Sequence, residues 1–180
     1  MGRVNISLFK ERLDFAKRHL PPAKGYRWRL LRNEESDPVD EPSTSCFGTS
    51  VGHFIDAGLS MPLDPLFLEL MARTGIPFNK LGLNIVRTIV GISALNKRYN
   101  VRLGLREILY CEKILVTPGG ETFYFFPYTR APELVRYLPT CQKGVSRKML
   151  AIEAGAIIPE DYNNFEFPRV NSQQGRPSAN

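Results

Sequence analysis

Histidine, cysteine and the carboxylates set what chemistry this chain could perform. There are two histidines, His19 and His53, and three cysteines, Cys46, Cys111 and Cys141, no two of the cysteines closer than thirty positions. A structural zinc site draws its ligands from pairs spaced a few residues apart. No such pair exists here, so the sequence predicts no metal centre and no zinc knuckle. An odd number of cysteines with no secretory signal points to free thiols, Cys111 among them packed inside a helix as a small hydrophobe. A nuclease or transposase centre needs carboxylates converging on two metal ions. Asp56, Asp64 and Glu107 read instead as turn, helix cap and helix surface. Serine or cysteine nucleophile chemistry would have to recruit His53 or His19, and no nucleophile elbow or paired motif accompanies either. His53 beside Phe54 reads as a structural histidine, with a ligand role lacking its other ligands. Gly119-Gly120 is followed by no Gly-Lys-Ser/Thr, so it reads as a turn and not a phosphate loop. The expectation is no catalytic residue, no cofactor and no small-molecule substrate.

Binding chemistry is better represented. Lys24, Tyr26, Arg27, Trp28, Arg29 and Arg32 interleave aromatic and basic side chains, a composition that can stack bases and neutralise phosphates. Trp28 reads first as a hydrophobic anchor that docks that segment onto the domain, because lone aromatics usually pack, and second as a stacking platform. A second basic group, Lys97, Arg98, Arg102 and Arg106, surrounds the turn after a long apolar helix. Phe123, Tyr124, Phe125 and Phe126 follow one another, and strand alternation places Phe123 and Phe125 on one face and Tyr124 and Phe126 on the other. Nucleic acid could use the outer pair, but the aromatic run has no basic residue interspersed.

Elements must position these groups. Ile6, Phe9, Leu13, Ala16 and Leu20 recur at spacings of 3, 4, 3 and 4, which makes one stripe of a helix over 5–20, ended by Pro21-Pro22. That stripe needs the domain or another copy to cover it, so these five residues are self-association candidates. Residues 33–50 are acidic and rich in Pro, Ser and Thr, and read as a mobile linker. Asp64-Pro65 starts a helix as N-cap and first helical residue, with Leu66, Phe67, Leu70 and Met71 inward, Gly75 as its end and Pro77 as a stop. Asn84 is expected to cap the next helix, over 85–99, whose Ile85, Val86, Ile89, Val90 and Ile92 make it the core helix. Gly91 inside it implies a closely packed backbone. Leu105, Ile108, Leu109 and Tyr110 form a third short helix. Residues 114–116 and 123–126 form a hairpin around Gly119-Gly120. A further helix is expected over 146–154, ending at Gly155, and the residues after Phe167 read as disordered.

The length of 180 residues suits one domain with tails, and 43% hydrophobic residues with 11% aromatics suffice for a core. The domain organisation read from this is a basic arm with an amphipathic helix (1–32), an acidic linker (33–50), a compact domain (51–167) and a tail (168–180). The fold class is α+β, mainly α, with one β-hairpin. Charge is uneven: residues 1–32 hold nine Lys or Arg against two acids, and residues 33–42 hold five acids and no base. Arm and linker could pair with each other, with another copy or with a polyanion, or be ordinary solvated surface. No apolar run approaches the roughly 20 residues that span a bilayer. With no apolar signal core at the N-terminus, the expected setting is intracellular, cytoplasm or nucleus, without a membrane partner. Gly2 is followed by Ile6 where a myristoylation motif wants Ser or Thr.

The order GLSMPLDPLF (58–67), LGLNIVRTIVG (81–91) and PGGETFYFF (118–126) resembles the gypsy-type transposase domain of plant long-terminal-repeat retroelements, found in their gag-like proteins. Pro-Leu-x-Pro-x-Phe, Leu-x-Leu-Asn-x-x-Arg, an internal Val-Gly and Gly-Gly-x-x-Phe-Tyr-Phe carry the resemblance over about half the chain. It implies a non-catalytic structural or self-association module, with nucleic-acid packaging as a presumed role, and it transfers no catalytic residue. Family members show a Gly-Trp after the hairpin and a second Trp-containing segment. Here Val145 follows Gly144, and Phe165-Glu166-Phe167-Pro168 has no Trp, departures that suggest a diverged or truncated copy. The leading expectation is the self-association module, with nucleic-acid binding or a copy without retained activity as alternatives.

Overall fold

The local signals around Asp64 and Gly75 act as their chemistry requires. In the computed structural model, which describes residues 14, 18, 28–30, 46–118, 122–131, 134, 149–153, 158–162 and 165, the short helix α1 (Val51–Ile55) is followed by α2 (Pro65–Thr74). Asp64 Oδ1 accepts the Leu66 N–H at 3.1 Å, and Pro65 takes the first helical position. Gly75 closes α2 at φ 66°, a left-handed conformation that suits glycine, and its N–H reaches Met71 O at 2.9 Å. Phe67, Leu68, Leu70 and Met71 are the buried face of α2.

A 3-10 turn (Phe78–Lys80) leads to α3 (Leu83–Tyr99), the core helix, which buries Leu83, Ile85, Val86, Thr88, Ile89, Ile92 and Ser93. It packs against α1, α2 and the hairpin. Ser93 donates to Asp64 Oδ2, so a single carboxylate caps α2 and fastens it to α3. Two expectations for α3 are corrected. Its N-cap is Gly82, and Asn84 lies in the first turn. Gly91 has open space where a Cβ would stand, with nothing within 4 Å, so no backbone packs there.

The close approach occurs at Gly82 instead. Its N–H donates to Phe123 O at 2.7 Å, and a Cβ would come within 2.7 Å of that oxygen, which leaves room for glycine alone. The partner strand belongs to the hairpin. Helix α4 (Leu105–Cys111) runs directly into β3 (Glu112–Val116), which pairs antiparallel with β4 (Phe123–Pro127). Thr117 N–H donates to Thr122 O at 2.9 Å, and that pairing turns the Phe125 peptide groups away from β3. Asn84 takes them up: its Nδ2 donates to Phe125 O at 2.7 Å and its Oδ1 accepts from Phe125 N–H at 3.3 Å. The side chain expected to cap a helix thus replaces a neighbouring strand.

Phe125 is buried and Phe123 packs on the core, while Phe126 is exposed on the other face, as alternation requires. In α4, Leu105, Ile108 and Cys111 are buried and Leu109 is half-buried. Tyr110, on the same helix as expected, is 74% exposed, because the helical turn carries it to the opposite side.

A second sheet corrects three readings. Strands β1 (Trp28–Leu30), β2 (Cys46–Ser50) and β5 (Met149–Glu153) form an antiparallel sheet in the order β1-β5-β2. Trp28–Leu30, read as part of a basic arm, is an edge strand. Cys46–Ser50 is a strand instead of the end of a linker, so compact structure begins before residue 51. Met149–Glu153 is the central strand where a helix was expected over 146–154. A short apolar run has no period that separates strand from buried helix, and pairing on both sides decides for strand. Phe47 and Ile152 are partners across it, and Ile152 is fully buried. The class remains α+β, mainly α, with a hairpin, and the three-stranded sheet is additional. The tip of the hairpin at Gly119-Gly120 and the tail after Phe167 lie outside the described residues. Among the described residues no helix is long and apolar enough to cross a membrane.

Candidate nucleic-acid interface

The corner between α3 and α4 is held by side-chain-to-backbone hydrogen bonds that leave its cations outside. α3 ends at Asn100 with φ 51°, a left-handed conformation that asparagine tolerates better than most residues. Asn96 then clamps the chain beyond the corner: its Nδ2 donates to Leu103 O at 2.8 Å, and its Oδ1 accepts the Leu103 N–H at 2.9 Å. Gly104 N–H donates to Glu107 Oε2 at 2.8 Å and starts α4. With residues 96–104 fixed in this way, Lys97, Arg98, Arg102 and Arg106 are all exposed on a single corner. The two cations on α3 also complement the negative end of its dipole, which is their structural role. Arg102 and Arg106 have no such helix end to serve.

The only carboxylate between residues 94 and 110 is Glu107. The Gly104 N–H, its own N–H and nearby Arg106 hold its pKa below the usual value, so it stays ionised while turned to the backbone. Within residues 94–110 four cations thus stand against one carboxylate. Tyr99 is 60% exposed, and the Arg98 guanidinium carbon lies 5.5 Å from its ring centroid. Arg106 and Tyr110 are four apart on α4 and so share a face. Basic and aromatic groups are interleaved here as in a single-strand binding surface.

Comparison of the chain with family models, with curated proteins and with solved structures finds no match. The site is therefore defined by its own geometry and charge.

The four cations of this corner were legible in the sequence; Tyr99 and Tyr110 were not. Tyr110 was read as part of the third helix, where it lies, and only its helical phase against Leu105 and Ile108 could have shown that it faces outward. Of the other nucleic-acid candidates, only the backbone of Trp28 and Arg29 is described. Trp28 and Arg29 are held in β1 opposite Ile152 and Ala151. Lys24, Tyr26, Arg27 and Arg32 lie outside the described residues, as do Ile6, Phe9, Leu13, Ala16 and Leu20. Of the span 5–20 only Asp14 and Arg18 are described. Both are helical, and Arg18 Nε donates to Asp14 O at 3.2 Å.

Among the described residues, His53 and Asp64 are engaged in structure. His53 is buried, with Nε2 2.9 Å from Leu81 O and Nδ1 3.0 Å from Thr49 Oγ1 and 3.4 Å from Ser50 N. A carbonyl only accepts, so Nε2 carries the proton; Nδ1 accepts from Ser50 N–H and from the Thr49 hydroxyl. Burial pushes the His53 pKa down to about 4, against the bond to Leu81, which works to raise it. Its ring also meets Phe78 edge-on, with centroids 5.3 Å apart. Asp64 is occupied as a cap, Cys111 is a buried free thiol, and Asp56 accepts from Arg87 Nε at 2.8 Å through its backbone carbonyl, while its carboxylate Oδ2 is buried without a hydrogen-bond partner among the described residues. Among the described residues no group of three or more His, Cys, Asp or Glu could hold a metal ion.

Proposed function

We propose that this chain is a non-catalytic, gag-like module of the plant gypsy-type retroelement kind, and that it binds nucleic acid through the α3–α4 corner. The observation that carries the reading is the exposure of Lys97, Arg98, Arg102 and Arg106 together, beside Tyr99, with Glu107 the one carboxylate of the segment 94–110. The order of sequence motifs from Gly58 to Phe126 supplies the retroelement part of it. Such a module works inside the cell, in cytoplasm or nucleus, and needs no cofactor. Binding of this kind is mainly to phosphates, so affinity must fall steeply as added salt competes for them.

The test is anisotropy of a labelled RNA oligonucleotide titrated with the protein at several salt concentrations. Arg102→Gln with Arg106→Gln is expected to weaken binding. It should also lower the slope of log K against log salt by about 1 for each phosphate no longer neutralised. Binding unchanged in both strength and slope would remove the corner from the interface.

Self-association through the stripe Ile6, Phe9, Leu13, Ala16 and Leu20 is the second reading. The helical state of Asp14 and Arg18, both off that stripe, favours it. Light scattering of a Phe9→Asp, Leu13→Asp variant tests it: oligomers present in the parent and also in the variant would sink it.

A further inference from the structure

We propose that the outer face of the β3–β4 hairpin, with Tyr110 beside it, stacks unpaired bases, so that the ligand of the α3–α4 corner is single-stranded nucleic acid. The inference rests on reading that corner as a nucleic-acid contact. Phe126 and Tyr128 are exposed at 45% and 47%. Standing two residues apart on an extended chain, they share a side at a separation of about 6.6 Å. Tyr128 N–H donates to Cys111 O at 3.0 Å, which brings Tyr128 alongside the end of α4 where Tyr110 is exposed. Scattered exposed aromatics are ordinary; three at the joint of one helix and one hairpin make a surface.

Charge selects the occupant. Lys113 is opposite Phe126 in the strand register, and its Nζ lies 5.0 Å from the Phe126 ring centroid and 6.0 Å from that of Tyr128. The aromatic run from Phe123 to Phe126 contains no base of its own, and cross-strand pairing supplies one. Arg106, one helical turn from Tyr110, links this face to the cations of the corner. A peptide strand added at the β4 edge is a poorer occupant, because Gly82 and Asn84 already take the Phe123 and Phe125 backbone groups there. A chain of phosphates carrying unstacked bases fits both components. The bases lie on Phe126, Tyr128 and Tyr110, and the flexible ammonium of Lys113 moves from ring to phosphate as a base takes its place. A duplex keeps its bases stacked inside and gains only from the cations.

The experiment compares a labelled single-stranded RNA with a duplex RNA of equal length, for the parent protein, for Phe126→Leu with Tyr128→Leu, and for Tyr110→Leu. Removing the ring under each stacked base is expected to weaken single-strand binding by about tenfold, with duplex binding unchanged. Phe126→Tyr keeps a ring and is expected to bind as the parent does; its circular dichroism and that of the leucine variants check folding. If the leucine variants bind the single strand as tightly as the parent while Arg102→Gln with Arg106→Gln weakens it, the corner stands and the stacking face is overturned. If the parent binds neither RNA, both readings fall. If the leucine variants change the oligomeric state and leave RNA binding alone, the face is a contact between copies and the proposal is overturned.

Discussion

His53 holds a single proton because its two nitrogens face opposite chemistry. Nε2 points at the Leu81 carbonyl and Nδ1 at the Ser50 N–H, so a second proton would set two donors against each other in a buried place. The ordinary histidine pKa of 6.5 is lowered to about 4 in the fold, chiefly by burial. Between those values the unfolded chain binds the proton and the folded chain does not, so stability is full above pH 6.5 and is lost as pH falls towards 4. Over the window from pH 6.5 to 5, where most carboxylates stay ionised, the loss attributable to His53 should be about 2 kcal/mol. Urea denaturation at a series of pH values measures the slope, and NMR of the His53 ring reports its protonation directly. A ring titrating near 6.5 in the folded protein would contradict the burial argument. The sequence hinted that His53 was structural, since no further ligands accompany it. Its partner Leu81, 28 positions away, could not be read from the sequence.

Helix α2 shows how much an element's own residues can specify. Asp64, Pro65 and Gly75 set its ends through hydrogen bonds and backbone angles within a few positions, and both ends were legible. α3 was legible as the core helix from its apolar period, but two of its residues act through the hairpin or lack the neighbour expected. Asn84 reads as a cap because asparagine favours that position; satisfying the Phe125 peptide overrides this preference. Gly91 looked like a close-packing site and faces open space, so its glycine only loosens the helix. Gly91→Ala is therefore expected to raise stability by about 0.5–1 kcal/mol. A chemical melt decides it: destabilisation would restore a close neighbour at this position. Tyr110 falls on α4 as its sequence context implies, and its phase on that helix sets it outside.

Across the molecule, β5 is paired on both sides by segments about a hundred residues or more away in sequence, β1 and β2. If Trp28–Leu30 were only a basic arm and Cys46–Ser50 the end of a linker, removing residues 1–45 would cost the fold nothing. With β1 in the sheet, that removal uncovers one edge of β5 and takes away three paired residues. Each cross-strand pair contributes up to about 1 kcal/mol, so the melting temperature should fall by about 5 °C. A chain beginning at Cys46 that melts with the full-length protein would show that β1 contributes nothing to stability.

The features whose physics is local could be read along the chain: the capped ends of α2, the apolar face of α3, the hairpin with alternating Phe123–Phe126, and the clustering of Lys97, Arg98, Arg102 and Arg106 around one turn. Those follow from side-chain period, backbone angles and short-range hydrogen bonds. Folding in three dimensions was needed to make Met149–Glu153 a central strand, to bring another backbone against Gly82 and not Gly91, and to stand Lys113 over Phe126. Each of these depends on which distant peptide groups need a partner and which strand register supplies it, and a single chain read in order does not contain that choice.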